Sequence, residues 1–141
     1  MLWLVVLKPA APLEPAPRAA FLLAVRAEPG PAGPGRPTVR GETRPGDRLI
    51  IEVTAPPDRL LELRVYRDGR LVLACRDRSP CQRRPEGLVA EVTMASAGHW
   101  RVLSALAPGP LPDSTGSYDA DLADLHGMGA AVRERDLGDV Y

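Results

Sequence analysis

From Gly46 onward the apolar residues recur at every second position, and this alternation constrains the fold more than any other feature of the chain. A period of two marks a strand with one buried face, because successive side chains leave a pleated backbone on opposite sides. Leu49, Ile51 and Val53 share one face and Arg48, Glu52 and Thr54 the other, although Ile50 keeps the outer face from being wholly polar. Pro56, Pro57 and Asp58 end that strand. Leu61, Leu63 and Val65 then alternate with Glu62, Arg64 and Tyr66, and Arg67-Asp68-Gly69-Arg70 supplies an Asp-Gly turn. Leu71, Leu73 and Cys75 continue the period on the far side, so residues 60–76 read as a β-hairpin. A further strand runs from Leu88 to Met94, with Leu88, Ala90, Val92 and Met94 inward. After a turn at Ala97-Gly98, Trp100 and Val102 open another, which extends to about Leu106.

Short strands separated by turn signals indicate a sandwich or barrel over a βαβ fold. The 141 residues are one domain's worth of chain, enough to bury about 65–70% of the surface the unfolded chain exposes. Phe21–Val25, bounded by proline clusters and too short for a helix, reads as the first strand. Beyond the loop at Pro108–Ser117 the period changes to three, with Leu122, Leu125 and Met128 on one side of a helix. Ser117 can cap it, Asp119 and Asp121 suit the positive end of its dipole, and Gly127 and Gly129 stop it. Ala131–Leu137 follows as a closing strand. The expectation is a mainly β protein, an Ig-like β-sandwich of about seven strands with one short C-terminal helix near 118–129. Trp100 with Leu49, Ile51, Leu63, Val65, Leu73 and Val92 should form its core.

Ahead of the domain at 20–141, residues 1–19 combine an apolar start with a proline-rich tether. Pro9, Pro12, Pro15 and Pro17 fix an extended, semi-rigid backbone. The run Met1–Leu7 is far short of the roughly 20 apolar residues that span a bilayer, and it lacks the basic start and cleavage site of a secretory signal. Two readings stay open: an apolar first strand or frayed start, or the outer end of a transmembrane helix in a longer gene product, which would make the N-terminus a membrane tether.

Eighteen Lys and Arg balance eighteen Asp and Glu, which argues against a strongly basic nucleic-acid binder, and no aromatic interleaves with the arginines of residues 76–84. Nucleophile elbow, phosphate-cradling glycine loop and His-Glu-x-x-His are all missing from the sequence, so no catalytic residue, cofactor or metal is implied and an enzyme is not expected. Asp119, Asp121 and Asp124 resemble the start of a calcium loop, but positions 123, 124 and 130 hold Ala, Asp and Ala where an EF-hand needs an oxygen ligand, Gly and Glu. His99 reads as a strand-edge residue and His126 as a residue on or beside the apolar face of the helix. Cys75 and Cys81, with five residues between them in a loop that contains Pro80, are a disulfide candidate if the chain lies in an oxidising compartment; two free thiols are the alternative.

Charge is unevenly placed despite its zero sum. Residues 58–84 hold eight Arg against four acids, and residues 113–141 hold seven acids against two Arg. One reading packs the acidic tail beside the basic hairpin so that the two partly neutralise each other. The other offers Arg76, Arg78, Arg83 and Arg84 as a patch for an anionic partner such as a phosphate-bearing lipid or a glycan.

Two stretches carry a family resemblance. Arg44-Pro45-Gly46-Asp47-Arg48-Leu49-Ile50-Ile51-Glu52-Val53, followed by a strand ending in Arg67-Asp68-Gly69-Arg70-Leu71, resembles the opening of Ig-like extracytoplasmic domains. Ala97-Gly98-His99-Trp100-Arg101-Val102 resembles the Gly-x-aromatic-x-Val strand of the same sandwiches. With the terminal helix and closing strand, the layout over residues 20–137 is similar to the C-terminal domains of anti-sigma-factor-like single-pass membrane proteins of myxobacteria. The resemblance implies the outer domain only. The cytoplasmic zinc segment's His and Cys ligands have no counterpart in the sequence, so no sigma-binding residue carries over. The expected function is therefore a non-catalytic extracytoplasmic interaction or sensory module of a membrane-anchored regulator, with an unidentified protein partner, at the periplasmic face of the inner membrane. The alternative is a soluble small-ligand or glycan-binding sandwich that uses the Arg-rich 76–84 loop.

Overall fold

The structure is a computed structural model that describes residues 21–30 and 44–141. The apolar start and tether at 1–19 lie outside the described residues. Eight strands and one helix follow in chain order: β1 (Leu22–Glu28), β2 (Arg48–Thr54), β3 (Leu60–Arg67), β4 (Arg70–Cys75), β5 (Cys81–Arg84), β6 (Gly87–Thr93), β7 (Gly98–Ala107), α1 (Tyr118–Gly127) and β8 (Ala131–Val140). They form two four-stranded antiparallel sheets, ordered β1-β2-β6-β5 and β4-β3-β7-β8. The fold is mainly β, a two-layer sandwich, with one strand more than the sequence suggests. The additional strand is β5, whose Cys-Gln-Arg-Arg carries no alternation; it is a short, charged edge held by its pairing with β6.

The core lies where the inner faces meet. Leu49, Ile51, Val53, Leu88, Val92 and Met94 of the first sheet and its flank face Leu61, Leu63, Val65, Trp100, Val102 and Leu106 of the second. Leu73 packs against this cluster from a partly buried position. The β3–β4 hairpin turns at Asp68 and Gly69, both with positive φ, the backbone that makes a two-residue turn match the twist of its strands.

The alternation in β3 is misleading about solvent. Glu62, Arg64 and Tyr66 do point away from the central core, but all three are buried, Arg64 at 1% exposure and Tyr66 at 0%. Their face of the sheet is covered by α1 and the loop that precedes it, which make a second apolar cluster from Tyr66, Leu103, Ala105, Leu111, Tyr118 and Leu125. The register of β4 slips between Val65 and Tyr66 of its partner, so Leu73 stands opposite Val65 and Leu71 opposite Tyr66, with Val72 left over and half exposed. That bulge reverses the face. Leu71 therefore joins the cluster beneath the helix, whereas Leu73 stays with the central core.

Both open sides of the sandwich are fastened. At one side β4 and β5, edge strands of different sheets, are joined by the Cys75–Cys81 disulfide, with Cα atoms 5.8 Å apart. At the other, Arg133 of β8 donates from Nε to the Phe21 carbonyl (2.9 Å) and lies over the Phe21 ring.

Candidate functional site

The four arginines of the 76–84 loop separate into two pairs. Arg76 donates to Glu62 Oε1 (3.0 Å), and Arg83 donates to the carbonyls of Gly87, Pro56 and Arg59, bracing the β5–β6 turn against the β2–β3 connection. Arg78 and Arg84 are exposed and, among the described residues, have no ion-pair partner. Arg84 borders a shallow groove of about 320 Å³ on the outer face of the first sheet, shared with Ile50, Glu52, Gln82, Val89 and Glu91. The disulfide closes the loop from its base; with six residues of separation it contributes about 2 kcal/mol in the chain-entropy account.

The largest polar constellation lies between the second sheet and α1. Arg64 directs Nε and Nη2 at Glu62 Oε2, each 2.6 Å away, and Nη2 also reaches the Pro112 carbonyl. Its Nη1 stands 3.7 Å from Asp121 Oδ2 without a hydrogen bond of its own. Asp121, in the first turn of α1, accepts from the Tyr66 hydroxyl (2.5 Å), from the Ser114 hydroxyl, and from the Thr115 backbone N–H (2.6 Å) and hydroxyl (2.7 Å). Burial pushes its carboxyl up, but the bonds from Ser114, Tyr66 and Thr115 outweigh that and hold it below the ordinary carboxylate range. Burial and the bond to Asp121 raise the Tyr66 phenol. For Arg64, burial works against the charge and Glu62 more than restores it, so the guanidinium stays protonated. The result is a fixed ionic lattice whose chemistry is anchoring: it holds the β7–β8 insertion onto the sheet.

This lattice explains the three aspartates of the helix. Asp119 and Asp124 are exposed while Asp121 turns inward, so they do not converge, and among the described residues no group of three His, Cys, Asp or Glu side chains is placed to hold a metal. Ser117 occupies the N-cap position without a side-chain bond. The expected side-chain cap is thus not made; Asp121 and Thr115 instead hydrogen-bond within the preceding loop, through Ser114, Thr115 and Ser117. Of the basic stretch 58–84, Arg64 is the arginine that an acid of the C-terminal segment approaches among the described residues, Asp121 at 3.7 Å; the other close pair of that segment, Arg101–Asp136, takes its arginine from outside the stretch. His126 is exposed on α1, and His99 lies at the start of β7 facing Asp136 and Asp139 of β8.

The fold and its polar groups thus define a disulfide-stapled, two-sheet β-sandwich with a helical insertion before its last strand. No protein-family model, curated protein or solved structure matches the chain.

Proposed function

We propose that this domain is a non-catalytic extracytoplasmic interaction or sensory module of a membrane-anchored regulatory protein, Ig-like in architecture, as the resemblance to the outer domains of myxobacterial anti-sigma-factor-like proteins suggests. The observation that carries the reading is the Cys75–Cys81 disulfide. Such a bond persists in oxidising compartments and is reduced in the cytosol. The strand order supports the Ig-like part: lettered in chain order with β4 as C′, the sheets read A-B-E-D and C′-C-F-G. No helix among the described residues is long and apolar enough to cross a membrane. The test is thiol alkylation of the unreduced protein, trapped in the cells that make it naturally. Cys75 and Cys81 protected from the reagent until reduction support the reading; both thiols alkylated without reduction overturn it.

A second reading, an anion-binding sandwich, is favoured by one observation, the exposure of Arg78 and Arg84 without ion-pair partners among the described residues. Because Arg83 braces the fold, only the other two should be changed. Replacing Arg78 and Arg84 with alanine is expected to weaken binding to a sulfated glycan or to anionic vesicles while leaving the unfolding free energy within about 0.5 kcal/mol of the parent. Unchanged binding in calorimetry sinks this second reading.

A further inference from the structure

Asp136 and Asp139 would leave a regular strand on opposite faces. In β8 they do not, because the register shifts opposite Trp100 and Arg101 and Leu137 becomes the extra residue of a bulge. Gly138, at φ 71°, supplies the left-handed backbone this requires, and its N–H donates to Asp136 Oδ1 at 2.8 Å. Both carboxylates then meet one imidazole: Asp136 Oδ1 lies 2.7 Å from His99 Nε2 and Asp139 Oδ1 3.0 Å from Nδ1.

A neutral imidazole carries one N–H and one lone pair; only the protonated ring can present a donor to each carboxylate. Nε2 is shielded from solvent and makes no well-aligned hydrogen bond, so its 2.7 Å approach to Asp136 is an ion-pair contact; in the neutral ring with the proton on Nδ1 its lone pair would oppose the carboxylate with no water between them. The surrounding charges are mixed. Arg101 on β7 approaches the other oxygen of Asp136 (3.5 Å), Asp68 at the β3–β4 turn accepts the His99 backbone N–H (2.8 Å), and Arg67 is engaged with Ser96. Neither arginine takes the place of the imidazolium between the two carboxylates.

We propose that His99, Asp136 and Asp139 form a pH-operated clasp that fastens the bulged end of β8 to β7 while the imidazole is protonated and loosens it when the imidazole is neutral. Asp136 first, then Asp139, raise the His99 pKa above its ordinary value. A raised folded-state value stabilises the clasp fully below the unfolded pKa of about 6.5, and this contribution is lost as pH rises through the folded value. The Gly138 N–H and then the imidazolium hold Asp136 below the ordinary carboxylate range, so its half of the clasp stays charged into acid. The clasp is thus closed under mildly acidic conditions and opens on the alkaline side.

The test is a heteronuclear NMR titration of the full chain from about pH 5 to pH 9, following the His99 ring nitrogens and the amides of Gly138, Asp139 and Val140. Both ring nitrogens should be protonated at the acidic end, with a midpoint above the ordinary value. The three amides should move with that midpoint, and cross-strand contacts between Gly98 and Val140 should weaken above it. Asp139→Asn, which leaves the Asp136 bond to Gly138 in place, should lower the midpoint. A His99 midpoint at or below the ordinary value, or β8 amides that ignore it, overturns the proposal.

Discussion

Truncating Trp100 to alanine is expected to lower the unfolding free energy by about 3–5 kcal/mol, the range for removing a large buried aromatic. The indole is 1% exposed, sits among the inward residues of both sheets and donates from Nε1 to the Ser96 carbonyl at 3.1 Å. Truncation therefore opens a cavity and also removes the donor that fixes the turn before β7. Against a total stability of roughly 5–15 kcal/mol for an ordinary domain, such a loss removes about a fifth of the stability at the high end and nearly all of it at the low end. Urea unfolding followed by far-ultraviolet circular dichroism measures it, since the fluorescence probe is changed by the substitution itself. Trp100→Phe fills most of the space without the donor and should fall between parent and alanine variant. A Trp100→Ala midpoint equal to that of the parent would remove Trp100 from the core.

That residue was legible in the sequence because its strand announces itself: a turn glycine, then alternating apolar positions. Equally legible were the Asp68-Gly69 hairpin, the boundaries of α1 and the proximity of Cys75 to Cys81, all local matters of backbone preference or short spacing. What escaped is non-local. Alternation assigned Glu62, Arg64 and Tyr66 correctly to the second face of β3, but whether that face meets water depends on where α1 lands, more than fifty residues away in the chain. A usable signal existed in β7, where Val102-Leu103-Ser104-Ala105-Leu106-Ala107 has no charged residue on either face, the pattern of a strand covered on both sides. Its neighbour β3 should then have been read as covered too. The bulges at Val72 and Leu137 were less accessible, since an extra residue leaves the composition of a strand unchanged and shows only in pairing. For β5 the sequence holds no apolar pattern at all, and its strand character comes from β6 and the disulfide. As for the candidate site, the sequence located the exposed arginines and the cysteines but could not separate Arg78 and Arg84 from Arg76 and Arg83, whose partners come from other strands and turns.

Asp121→Ala is expected to be about as damaging as the loss of Trp100, through electrostatics instead of packing. The carboxylate accepts from Tyr66, Ser114 and Thr115 and stands nearest to the unpaired nitrogen of Arg64, and its own exposure is 1%. Alanine would strand the Tyr66 hydroxyl and the Arg64 guanidinium, both buried, and breaking a buried charge pair from one side costs about 3–5 kcal/mol. The pH dependence has a definite sign. Because the folded-state pKa of Asp121 is depressed, its contribution is present above the ordinary carboxylate value and is lost as pH falls through the folded one. The parent should lose stability in acid by this route, whereas Asp121→Ala should not. Removing charge from the other side gives a contrasting result. Arg64→Met combined with Glu62→Leu replaces the paired ions by apolar groups of similar length and leaves the Tyr66, Ser114 and Thr115 bonds to Asp121 intact. Exchanging a whole buried pair is often neutral or stabilising, but Asp121 here keeps its charge and loses its nearest cation, so the double variant should fall between the parent and Asp121→Ala in a urea titration. If Asp121→Ala unfolds no more readily than the parent, the ionic lattice is not what secures the insertion, and the apolar contacts of Tyr118 and Leu125 must hold it alone. If instead the double variant proves as unstable as Asp121→Ala, the Arg64 guanidinium has a role that apolar packing cannot replace: its bond to the Pro112 carbonyl would then be what holds the loop against the sheet before α1 docks.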